Sequence, residues 1–219
     1  MVFWVLWNNR NNCVWNGEKE ADRSVGIKAS VLWNEWQEVQ LIRSSNNNAN
    51  QPQQIDSSLQ WQKPPFGWHK CNVDAAFHKK EMKTSAGWCV RDHTGQFVMA
   101  GTSWNQGRCS IIEGEAIALL EAMTEAARRG ITNVIFETDS KIVVDAIQNL
   151  HRGFSEFNSI ICNIQSYLSF NSNFKVKFAK RQANMVAHKL ARAAISWASR
   201  YYLERIPTCI ETILINEMF

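Results

Sequence analysis

With 219 residues, 45% of them hydrophobic, and a formal net charge of +4, the chain has room for one full domain plus an appendage and is apolar enough to bury a core. No apolar run approaches the roughly 18 residues of a membrane span, so a soluble protein with no membrane partner is expected. The charge excess is too small, taken as a total, to argue for nucleic acid.

The chain opens MVFWVLWNNRNN, a short apolar run with no basic segment before it, which is a poor secretory leader. Cysteines at 13, 71, 89, 109, 162 and 209 form no CxxC pair and no zinc spacing with His. Reduced thiols in an intracellular protein are the simplest expectation. Residues 1–43 are rich in Trp, and Val25, Ala29, Leu32, Trp36 and Val39 recur at helical spacing, which predicts an amphipathic helix. Residues 44–60, SSNNNANQPQQIDSSLQ, are too polar to offset their ordering entropy and read as a flexible linker. A folded domain is expected over 61–200, followed by a tail over 201–219.

From His69 the pattern is regular. KCNVDAAF alternates, with Cys71, Val73, Ala75 and Phe77 on one face and Asn72 and Asp74 on the other, as in a strand. SAGWCVRD predicts a second strand, His93–Gln96 a turn in which Gly95 suits positive φ, and QFVMAGTSW the returning third strand. Ile112, Ala116, Leu119, Leu120, Met123 and Ala127 then fall at helical spacing up to Gly130, a natural C-terminal cap. NVIFE is a short buried strand, and Thr138-Asp139-Ser140 opens a helix lined by Val143, Val144 and Ile147. Phe157 to Leu168 is a further helix, Asn173–Phe178 a fifth strand, and Ala183–Trp197 a last helix. The order βββαβα(α)βα implies an α/β domain, a mixed five-stranded sheet flanked by helices.

Three acids stand out in this scheme. Asp74 interrupts a strand that should be central, where a charge is costly unless something pairs with it. Glu115 falls in the first turn of the first long helix, and Asp139 at the end of the fourth strand. Carboxylates from separate elements that converge are what a hard cation such as Mg²⁺ needs, and such cations activate water and stabilise the leaving oxygen in phosphodiester hydrolysis. Taken singly, Asp139 could cap its helix and Glu115 could favour the helix dipole; Asp74 is harder to explain that way. From Asn173 to Arg200 there are seven Lys or Arg and no acid, the charge distribution of a phosphate-facing edge or of an ordinary solvated face.

The segments CNVDAAF, GWCVRDHTGQFVMAG, EGEAIALLEAM, FETDSKIVVDAI and KRQANMVAHKLA, in that order over about 120 residues, resemble the ribonuclease H-like domain of plant reverse-transcriptase-like proteins, relics of non-LTR retroelements. VLWNNRNNCVWNG resembles the segment that precedes the domain there, so Met1 would begin a truncated element without a polymerase. The resemblance implies a ribonuclease H-like fold, Mg²⁺ or Mn²⁺ as cofactor, an RNA–DNA hybrid as partner, and a monomer that cleaves the RNA strand. Carried over by motif, Asp74, Glu115 and Asp139 are the first three metal-site acids. The fourth position departs from the RxxNxxADxLA pattern of active relatives: Arg181 to Ala191 fits it except that His188 replaces Asp. Imidazole can ligate a metal, though it is neutral and better matched to Mn²⁺ than to Mg²⁺; alternatively it only hydrogen bonds at the site. Ala75 stands where many relatives have Gly, and neither the extra His nor the basic protrusion of some bacterial relatives is seen. Lys175, Lys177, Lys180, Arg181 and Asn184 are the candidates for nucleic-acid contact. Two other functions stay open: a catalytically weak nucleic-acid-binding module, or a remnant that binds a partner through Trp4, Trp7, Trp33 and Trp36.

Overall fold

The computed structural model describes residues 59–107, 109–149 and 155–218. The helix expected over Val25–Val39, the Trp cluster and nearly all of the expected linker lie outside the described residues, as does part of the short segment between Leu150 and Phe157.

Strands β1 (His69–His78), β2 (Lys83–Arg91) and β3 (Phe97–Gln106) form an antiparallel meander. Gly95 takes φ +90° in the β2–β3 turn, the left-handed conformation that its lack of a Cβ permits. Helix α1 (Ile111–Arg128) follows and stops before Gly130, which has φ +67°. Then come β4 (Val134–Thr138), α2 (Lys141–Gln148), α3 (Glu156–Phe170) and β5 (Phe174–Phe178). β4 pairs parallel to β1, and β5 parallel to β4. The expected α/β architecture with a mixed sheet is therefore present, in the order β5-β4-β1-β2-β3-β6.

The sixth strand is a difference from the sequence reading. β6 (Arg200–Leu203) lies antiparallel on β3, and α5 (Thr208–Met218) packs against the last helix of the sheet's second face. Residues read as a tail thus extend the sheet and bury Ile210 and Leu214. A four-residue strand that starts Arg-Tyr-Tyr has too little alternation to be recognised from pattern. The helix expected over Ala183–Trp197 also divides into a 3₁₀ turn (Arg181–Asn184), α4 (Met185–Ala193) and a second 3₁₀ turn (Ala194–Ser196).

The two faces of the sheet bury different things. Under α1 and α3 lies the larger apolar core, with Val73, Trp88, Leu119, Met123, Phe136 and Ile164 all buried. Under α4 and α5 a smaller cluster, built on Cys89, Ala100, Val186, Leu190, Ile210 and Leu214, shares the space with polar side chains. α4 approaches very closely. A Cβ on Gly87 would stand 2.2 Å from the backbone nitrogen of Ala191, so only glycine lets this helix settle on β2.

Candidate metal centre

Three elements bring three carboxylates together. Asp74 comes from the middle of the sheet, on β1 between β2 and β4. Glu115 is the fifth residue of α1, just past the first turn in which its spacing was expected to put it, and Asp139 directly follows β4. One oxygen from each lies within 4.8 Å of the others.

The simpler uses of these acids are taken by other residues. The α1 capping box is made by Ser110 and Glu113, so Glu115 is not the capping carboxylate. Ser140 is the N-cap of α2, and Asp139 instead accepts from Arg181 Nη1 at 3.1 Å.

Burial makes the cluster electrostatically crowded. Asp74 is 1% exposed and Glu115 8%. Burial first, and then the charges of Glu115 and Asp139, push the Asp74 carboxyl well above the ordinary carboxylate range. Burial and the Asp139 charge push Glu115 up to about 8, against a backbone N–H donated by Ala75 and the charge of Arg181. Asp74 Oδ1 and Glu115 Oε2 are buried and accept no hydrogen bond. Buried carboxylate oxygens normally have partners. Oxygens that repel one another and lack donors are what a small hard cation can satisfy.

His188 joins this group through a hydrogen bond. Its Nδ1 is 2.8 Å from Asp74 Oδ2. Burial first, then Arg181 and Arg192, hold its pKa below the usual histidine value. Arg181 Nη2 lies 3.0 Å from Nδ1 and 3.2 Å from Nε2 of the same ring, so the guanidinium meets both nitrogens. Arg181, 57% exposed, therefore spans Asp139 and His188 at the mouth of the site.

The other candidate residues are placed unevenly. Asn184 is 1% exposed; its amide donates to the Val73 carbonyl at 2.9 Å and its Oδ1 accepts from Asn72 at 3.1 Å, so it is an internal staple and not a nucleic-acid contact. Lys175 is exposed but its ammonium lies over the Trp68 ring at 4.2 Å. Lys177 is level with Glu137 and Lys175 with Ile135, so both sit below the end of the strand where the carboxylates gather. Lys180 and Arg181 lie beyond that end. Two residues missed from sequence, His78 and Arg192, line with Ile111, Glu115, Arg181 and His188 a cleft of about 380 Å³ beside the acids. Arg192 belongs to the basic run and falls one helical turn after His188, which is the signal that could have found it.

A protein-family comparison matches residues 72–194, more than half of the chain, to the reverse transcriptase-like family. The chain belongs to the reverse transcriptase-like family. The matched span covers all three carboxylates and His188. A curated Arabidopsis thaliana protein named for ribonuclease H is 25% identical over 98% of this chain. The chain spans about a third of that protein, 34% of its length. Among solved structures, ribonuclease H1 of Halobacterium salinarum is similar with a TM-score of 0.54 at 21% identity, over 60% of this chain and 100% of that one. The LC11 ribonuclease H1 from compost, crystallised with an RNA/DNA hybrid, gives a TM-score of 0.52 at 16% identity, over 58% of this chain and 96% of that one. The fold of this family member is thus ribonuclease H-like.

Proposed function

We propose that this domain is a divalent-metal-dependent endoribonuclease that hydrolyses the RNA strand of RNA–DNA hybrids. The observation that carries the reading is the meeting of Asp74, Glu115 and Asp139 at one point, with two buried carboxylate oxygens left without donors. Ribonuclease H-like relatives support the substrate class, one of them seen bound to an RNA/DNA hybrid. Asp74, Glu115 and Asp139 would hold Mg²⁺ or Mn²⁺. The ion, when bound, supplies Lewis acidity at the phosphate and a lowered pKa for water. His188 holds the Asp74 carboxylate in place through Nδ1. Arg181 is exposed enough to meet a phosphate, which would draw its guanidinium from Asp139. Arg192, which lines the cleft, and Lys180, beyond the same strand end, would add backbone contacts, without base reading, as hybrid recognition through phosphate and 2′-OH requires. The protein would act as a monomer in an intracellular compartment, where Cys71, Cys89, Cys109, Cys162 and Cys209 stay free thiols.

The test is a labelled hybrid incubated with the full chain in Mg²⁺ or Mn²⁺. Cleavage confined to the RNA strand, lost in Asp74→Asn, is the expected result. A second reading, a nucleic-acid-binding module with weak catalysis, draws on one feature: the fourth position holds His188, already bonded to Asp74 and Arg181. Hybrid binding without cleavage in either ion would select it. His188→Asp then asks whether that position limits the rate.

A further inference from the structure

We infer that Glu217, near the end of α5, is a positioning residue for this site and acts on it through Arg91 and Asn72. The inference rests on reading Asp74, Glu115 and Asp139 as the site, and it concerns what fixes the two side chains at its mouth, Arg181 and His188.

The connection is a continuous set of buried hydrogen bonds. Asn72 is 0% exposed and lies two residues before Asp74, on the same face of β1. Its Nδ2 donates to Asn184 Oδ1 at 3.1 Å, to Glu137 Oε2 at 3.2 Å and to the Ala183 carbonyl at 3.4 Å, and Asn184 in turn donates to the Val73 carbonyl. These bonds fasten the Arg181–Asn184 turn to β1. Arg181 opens that turn, and His188 follows it in the first turn of α4. The geometry of both against the acids is therefore set from beneath by Asn72.

Asn72 is itself oriented from the far side. Its Oδ1 accepts from Trp61 Nε1 at 2.8 Å and from Arg91 Nη2 at 3.0 Å. Arg91 is 1% exposed, stacks on the Trp61 ring at 3.5 Å, and pairs through Nη1 with Glu217. A guanidinium so deeply buried needs its carboxylate. Without Glu217 it must turn toward another acceptor, and Asn72 Oδ1 is already on it. Trp61, Gln182 and Glu217 also line one cleft of about 490 Å³, so the leading segment, the turn and the end of α5 share a wall. Groups that orient a metal site from behind typically change its affinity or activity by about 10–100-fold when removed.

The experiment is NMR on the full chain without metal, so that its result does not depend on whether the site cleaves or binds anything. In Glu217→Ala the His188 ring signals and the backbone amides of residues 181–188 are expected to shift, and Glu217→Gln, which keeps an acceptor for Arg91, should restore most of them. Trp61→Phe keeps the ring under Arg91 and removes the bond to Asn72; it should move the same residues and serves as the second route if Glu217→Ala fails to fold. Shifts confined to α5, Arg91 and Trp61, with residues 181–188 unmoved, would overturn the inference. Failure of the hybrid cleavage assay would instead sink the proposed function and leave this coupling standing.

Discussion

The two faces of the sheet are held by different physics. Beneath α1 and α3, apolar side chains such as Trp88, Leu119 and Phe136 fill the space. Beneath α4 and α5 the apolar cluster is small, and Asn72, Arg91, Asn184 and Glu217 are tied into a polar network. The first face supplies stability without direction. The second supplies direction, because hydrogen bonds fix angles that hydrophobic contact leaves loose. The carboxylates lie where elements from both layers meet: Asp74 on the sheet, Glu115 on α1, and His188 on α4 answering from the other side.

Variants on either face sharpen this contrast. The largest expected effect is on the apolar face. Leu119→Ala or Phe136→Ala should lower stability by about 3–5 kcal/mol, read by urea unfolding, and leave the signals around His188 close to native until the fold is lost. Glu217→Ala should cost about 3 kcal/mol by leaving Arg91 buried and unpaired. Replacing both partners, Arg91→Met with Glu217→Leu, should return most of that stability. If the double variant is as unstable as the single one, the charge pair is not what the polar face rests on.

A third prediction concerns acid. Glu125 is 4% exposed and bonded to both Arg128 and Arg129, which hold its carboxyl down at about 2. An unfolded Glu titrates near its ordinary value, so between the two values the unfolded chain binds more protons. This stabilisation is fully present above about pH 4.5 and fades as pH falls toward about 2, a loss on the order of 2–3 kcal/mol. Glu125→Gln should be less stable at pH 7 and show a shallower acid limb; an unchanged limb would contradict the assignment.

The smallest effect has an unusual sign. Asp74 and Glu115 carry raised pKa values, so their ionised forms oppose folding at neutral pH when nothing neutralises them. Asp74→Asn should therefore raise the melting temperature of the metal-free protein, by an amount equivalent to roughly 1 kcal/mol. A lower melting temperature would mean that the charge itself, through His188, supports the fold.

The sequence showed part of this and concealed the rest, for identifiable reasons. Asp74 was legible because an acid in an apolar strand has no structural use, and Glu115 and Asp139 because helix and strand periodicity located them at element ends. The strands that meet in the sheet's centre were legible by the same alternation. β6 was not, because four residues on a sheet edge leave almost no pattern. Asn184 was misread as a surface contact: amid basic residues a buried Asn looks the same as an exposed one. Arg91 and Glu217 lie 126 residues apart, and no local spacing rule connects them. Asn72 did leave a trace, as the second polar residue on the Asp74 face of a central strand. As with Asp74, a polar side chain on a buried face requires a partner that makes its burial tolerable.

Whether Asp74, Glu115 and Asp139 form a cation site is tested by thermal unfolding with increasing Mn²⁺. A protein that binds the ion only when folded gains about 2.7 kcal/mol at a hundredfold excess over the dissociation constant. A cation site predicts a progressive rise in melting temperature for the native chain and none for Asp74→Asn, which should start higher and stay flat. Parallel curves for the two proteins, or no rise in the native chain, would contradict it.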